Sequence, residues 1–96
     1  MRQSVTAKTL GYAHRERSAE EKKRELLSAQ NFGRQLRHLR VDLGRTQQDL
    51  ALSAGVDRAY LSEIERGVKS PTLRTLRALA RALGLRVAVM LEMCGE

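Results

Sequence analysis

Arg58, Ala59, Ser62, Glu63 and Arg66 are the residues whose types and spacing best suit them to chemistry, and that chemistry is hydrogen bonding to a partner. If residues 57 to 66 are helical, Leu61 and Ile64, three apart, mark the buried side. A turn of about 100° per residue then puts Ala59, Ser62, Glu63 and Arg66 on the opposite face, with Arg58 to one side in the first turn. This face is small or polar throughout. An apolar residue there would indicate packing; its absence suits a helix lying in a major groove, where base edges offer donors and acceptors.

The elements that must hold this helix are legible around it. Thr46 is placed to cap a preceding helix, and Asp49, three residues on, favours that helix's positive end. Leu50 and Ala51 form its apolar stripe, and Gly55 breaks it at a sharp exit. Asp57 is placed to cap the next helix. Upstream, Phe32, Leu36, Leu39 and Leu43 have the spacing of a core-facing helix that Gly44 ends, with Arg34 and Arg37 on its solvated face. Downstream, Val68-Lys69-Ser70 links to a helix with Ser70 as cap and Pro71 in first position. Its stripe is Leu73, Leu76, Ala80 and Leu83, and Gly84 stops it. Arg74, Arg77 and Arg81 share another face, either a wet side or a surface for an acidic partner.

The two ends differ from this middle. Residues 1 to 17 carry Arg2, Lys8, Arg15 and Arg17 against Glu16, which fits a solvated tail, a basic arm on a nucleic-acid backbone, or a strap that orders on a partner. Ser18 and Glu21 form a capping box that opens a helical stretch to about Gln30. Only Leu26 and Leu27 are large and apolar there, so this helix must dock or remain marginal. At the other end Leu85, Val87, Val89, Leu91 and Met93 recur at every second position, which predicts a β-strand. A lone strand leaves both edges open, and pairing with the same strand of a second copy around a two-fold axis closes one of them. The expected organisation is an extension over 1–30, a helical domain over 31–84, and a terminal dimerisation strand over 85–96.

Composition narrows the functional classes. The 96 residues make one domain, too small for a deep catalytic cleft. A net charge of +7 and a pI near 10.5 favour a polyanionic partner, whether DNA, RNA or a membrane surface. With Tyr12, Phe32 and Tyr60 as its aromatics, the chain lacks stacking platforms for single strands. Cys94 is a lone cysteine, and His14 and His38 have no neighbours at metal-ligand spacing, so no metal or disulfide framework is expected. Ser53, Ser62 and Ser70 lack the strained context of a nucleophile, and no Gly-rich phosphate loop is present. Gly33, Gly44, Gly55, Gly67 and Gly84 read as helix punctuation. Neither an enzyme nor a cofactor is expected. With no apolar leader and no run of transmembrane length, the expectation is a cytoplasmic protein without a membrane partner.

Residues 46 to 67, TQQDLALSAGVDRAYLSEIERG, closely resemble the helix-turn-helix of Xre/Cro-type repressors. The shared positions are Thr46, Gln47, Leu50, Ala51, Gly55, Val56, Leu61, Ser62, Ile64, Glu65, Arg66 and Gly67, and the likeness runs from about Phe32 to Leu85. It implies a mainly α, lambda-repressor-like bundle that binds double-stranded DNA as a homodimer on an inverted-repeat operator. It further implies that Gln47, with Gln48 beside it, anchors phosphate at a helix N-terminus. Arg58 and Ala59 match the base-reading first turn, while Ser62, Arg66 and Lys69 match backbone contacts. Glu63 would either accept from cytosine N4 or repel phosphate, and Tyr60 would be either a phosphate donor or a core-packed ring. Arg40 and Glu65 match a partly buried structural bridge. The segment LGLRVAVML is similar to the end of HipB-type antitoxins. Together with the helical N-terminal extension, this likeness makes the expected function a repressor that is also the antitoxin of a co-encoded toxin and autoregulates its operon. The alternative is a phage-type repressor or restriction-modification controller without a toxin partner.

Overall fold

In a computed structural model, which describes residues 17–95, the chain forms α1 (Ala19–Asp42), α2 (Gln47–Ala54), α3 (Arg58–Glu65), α4 (Leu73–Leu83) and α5 (Val87–Cys94). Of the expected basic tail over 1–17, residues up to 16 lie outside the described residues, and Arg17 pairs with Glu25. Helix α1 packs on α3 and α5, α2 on α3 and α4, and α4 on α5. Leu36, Leu50, Leu61, Ile64 and Leu79 meet at the centre with no exposure. Burying each such side chain stabilises the fold by about 1.5–3 kcal/mol.

Local signals account for the helix starts. Ser18 Oγ accepts from the Glu21 N–H at 3.1 Å while the Ser18 N–H donates to Glu21 Oε1 at 2.8 Å, a complete capping box for α1. Thr46 and Asp49 repeat it on α2, at 3.0 and 3.4 Å. Gly55, at φ +71°, supplies the left-handed turn between α2 and α3. Asp57 occupies the N-cap of α3 but makes no side-chain cap bond.

Four expectations change. Helix α1 is continuous where the sequence suggests two helices, since Asn31 and Gly33 weaken a helix by only about 1 kcal/mol or less each. Gly33 is not punctuation: it is buried where α1 crosses the end of α3, and a Cβ there would collide with the Ile64 carbonyl oxygen and lie 2.6 Å from that of Glu65. Helix α4 is capped by Thr72, whose Oγ1 accepts from the Thr75 N–H at 3.1 Å, and Pro71 precedes it, so Ser70 is not the cap. Its buried face is accordingly Thr75, Leu79, Ala80 and Leu83, with Leu73 left 57% exposed.

The fourth is the largest correction. Residues 87–94 are helical, and no strand is present among the described residues. Leu85, Val87, Val89, Leu91 and Met93 therefore form no intersubunit ribbon of strands in this fold. The run VAVMLEMC is apolar on nearly every side, so it fits a period of 3.6 as well as a period of 2. A helix closes its own backbone hydrogen bonds, whereas a lone strand needs a partner. The buried pair is Met90 and Cys94, four apart, and both belong to the face that alternation assigned to solvent. Burial also raises the Cys94 thiol pKa above its ordinary value.

Candidate nucleic-acid interface

The outward face of α3 presents Arg58 and Ala59, both exposed, then half-buried Ser62 and Glu63, then exposed Arg66. Because Asp57 makes no side-chain cap bond, it leaves the first-turn N–H groups of α3 without a side-chain acceptor. Helix α2 brings its N-terminus alongside, with Gln47 half-buried and Gln48 exposed. An open depression there is lined by Arg37, Arg45, Gln47 and Arg58, together with Thr46 and Gly44. Arg37, which the sequence assigned to a plain wet face, thus stands beside Arg58 at the positive end of α2.

Beneath this surface lies a buried network. Arg40 and Glu65 are 7% and 6% exposed, and they meet side-on: Nε donates to Glu65 Oε2 at 2.6 Å and Nη2 to Oε1 at 3.0 Å. Arg40 Nη1 donates to the Arg45 carbonyl at 2.7 Å. Hydrogen bonding to Glu65 raises the Arg40 pKa, with burial opposing and charge attraction adding. Gln47 joins the same carboxylate, its Nε2 donating to Oε1 at 3.0 Å. A carboxylate only accepts, so the amide nitrogen must face it, and the Gln47 carbonyl oxygen turns elsewhere. The network fixes the angle between α1, the start of α2 and the end of α3.

Other side chains hold the edges. The Tyr60 ring packs partly against the core, and its hydroxyl is 3.5 Å from Thr75 Oγ1 on α4, which makes it a strut between helices. Lys69 lies beyond α3 with Nζ 3.4 Å from Glu63 Oε1. Arg45 donates to the Ala82 carbonyl at 2.9 Å and to Ser53 Oγ at 2.8 Å, tying the α1–α2 turn to the ends of α4 and α2. Sequence reasoning missed Arg45, and no spacing marks it, because its partners are helix ends that only the folded chain brings near. The five apolar residues expected at a dimer contact do not share a face: Leu85 and Val87 pack on the core, whereas Leu91 and Met93 are 40% and 51% exposed.

Two short helices joined by a left-handed turn, with the second presenting a polar outer face, define a helix-turn-helix unit. The Helix-turn-helix family model matches residues 36–89, more than half of the chain, and the chain belongs to this family, in its Xre-type form. It is similar to the transcriptional regulator ClgR of Mycobacterium tuberculosis (strain CDC 1551 / Oshkosh), 46% identical over 61 residues that cover 64% of this chain and 54% of that protein. An immunity repressor protein of Bacillus phage phi105 is 40% identical over 58 residues, covering 60% of this chain and 40% of the repressor. Among solved structures, the restriction-modification controller protein C.AhdI from Aeromonas hydrophila aligns with a TM-score of 0.62 at 35% identity, over 65% of this chain and 94% of its own. The chain spans about half the length of the curated relatives it matches.

Proposed function

We propose that the protein is a sequence-specific transcriptional regulator that binds an inverted-repeat operator as a homodimer. The observation that carries this reading is the exposed polar face of α3 beside the arginine-lined N-terminus of α2. In this reading Arg58 and Ala59 meet base edges, with arginine matched to guanine and alanine to a thymine methyl. Arg37, Ser62, Arg66 and Lys69 meet phosphates, Gln48 lies at the same helix end, and Gln47 serves chiefly to orient Glu65. Tyr60 is assigned to packing. Its transcriptional relatives and its structural likeness to a restriction-modification controller support the simple-regulator alternative over an antitoxin. The antitoxin reading rests on a terminal strand and a separate N-terminal helical extension; residues 87–94 are helical, and residues 19–30 continue into α1. Leu26 and Leu27, on the early turns of α1, are 51% and 53% exposed. Among the described residues no helix is long and apolar enough to cross a membrane.

A second copy of the chain is the proposed cover for Leu91, which lines a groove with Phe32, Pro71 and Leu76, and for Met93, exposed on the same helix. Removing α5 outright would expose the core, since Met90 and Cys94 belong to it, so point changes are the better probe. A Leu91→Asp, Met93→Asp variant should keep its helical signal but sediment as monomer. Its duplex affinity should fall because the two half-sites are no longer joined. A variant that stays dimeric at micromolar concentration places the interface elsewhere. For the wild type, Arg37, Arg66 and Lys69 from two subunits amount to about six phosphate contacts. Affinity should then drop on the order of 10³-fold or more between about 50 and 200 mM salt. A salt-insensitive affinity removes the phosphate contacts from the account.

A further inference from the structure

Glu63 is the acid on a face otherwise built from donors and small groups, and the structure gives it a partner. Helix α3 ends in a Schellman turn: the Gly67 N–H donates to the Ile64 carbonyl at 3.0 Å and the Val68 N–H to the Glu63 carbonyl at 2.9 Å. Gly67 sits at φ +76°, and a Cβ there would lie 2.5 Å from Gln30 Cα, so the turn is locked against α1. The Lys69 N–H also points back at the Glu63 carbonyl, at 3.4 Å. The cap therefore folds Lys69 over Glu63 and sets Nζ 3.4 Å from Oε1, with the carboxylate 31% and the lysine 56% exposed. In the free protein the lysine positioned for the nucleic-acid backbone is held by a carboxylate on the base-facing side.

We propose that Glu63 and Lys69 form an exchangeable pair that couples backbone grip to base identity, an inference that rests on α3 lying in the major groove. Where the base facing Glu63 offers an amino group, cytosine N4 or adenine N6, the carboxylate accepts from it and Lys69 is released to a phosphate. Where that base offers the acceptors of guanine or thymine, the carboxylate has no donor on the duplex and retains Lys69. The wrong base then loses two contacts at once, one to the base and one to the backbone. Glu63 acts as a specificity determinant by rejecting bases as well as by accepting them.

The test uses the full chain and duplexes taken from its own selected operator, with each base placed symmetrically at every half-site position. Wild-type protein should prefer C or A over G and T by about tenfold or more at one position per half-site, and separate C and A duplexes identify the donor. Glu63→Gln, which keeps the size and gains a donor for guanine O6 or thymine O4, should bind the G and T duplexes within about threefold of the C duplex, with any remaining preference going to A, whose N6 and N7 suit the amide. Lys69→Ala should flatten the salt slope by about one unit per half-site on the preferred duplex and leave it unchanged on the G and T duplexes. The proposal is overturned if Glu63→Gln retains wild-type discrimination at every position, or if Lys69→Ala flattens the slope equally on all duplexes. A wild-type protein with no base preference anywhere overturns the groove assignment of α3 itself, and this pair with it.

Discussion

Glu65→Ala should destabilise the protein by about 3–5 kcal/mol, because it leaves a buried guanidinium without its counter-charge. The carboxylate accepts from Arg40 Nε and Nη2 and from Gln47 Nε2, so its removal strands three donors, two of them charged. Against a total stability of about 5–15 kcal/mol, that loss lowers the midpoint by tens of degrees. Replacing both partners, as Arg40→Met with Glu65→Leu, should cost less than either single change. A well-packed apolar pair removes the desolvation penalty, and Gln47, half-buried, can turn to water. Thermal and urea unfolding of the three variants checks the order. A Glu65→Ala cost below about 1 kcal/mol would mean that the pair behaves as a solvated surface bridge.

Gly33→Ala should also destabilise, by about 3 kcal/mol, and the sign is the informative part. Alanine is the better helix former by about 1 kcal/mol, so propensity alone would make the variant more stable. The new methyl group, however, meets the carbonyl oxygens of Ile64 and Glu65, and these are backbone atoms. They cannot move aside cheaply, since Glu65 is tied to Arg40 and the turn after it is pressed on Gln30. Reorienting the end of α3 should lower operator affinity as well. An alanine variant as stable as wild type would show that α1 and α3 do not cross this closely.

Both residues mark the limit of what the chain discloses before it folds. Helix starts were legible at Ser18 and Thr46, because a cap residue and its acidic partner lie only three positions apart. The stripes through Leu36 and Leu39, Leu50 and Ala51, and Leu61 and Ile64 were legible too, because each lies on one helix with polar neighbours. The terminal run was misread because apolar residues on every side carry no period, and the choice between helix and strand then depends on what the backbone can pair with. Gly33 was misread because its role is a crossing with Ile64 and Glu65, which are distant in sequence. The outward set of α3 followed from helix geometry alone. Gln47 on Glu65 and Lys69 on Glu63 did not, because one contact crosses between helices and the other depends on a turn just past a helix end.

Selection of bound duplexes from a random pool tests the central claim most directly, run in parallel on wild-type protein and Arg58→Ala. The account predicts an inverted repeat with half-site centres about 34–36 Å apart, one helical turn. It predicts the same repeat for Arg58→Ala, with one position per half-site relaxed and affinity reduced by about 1–3 kcal/mol. A pool that yields no repeat with wild-type protein, or a variant whose preferences match wild type at every position, would contradict the assignment of α3 as the element that reads DNA.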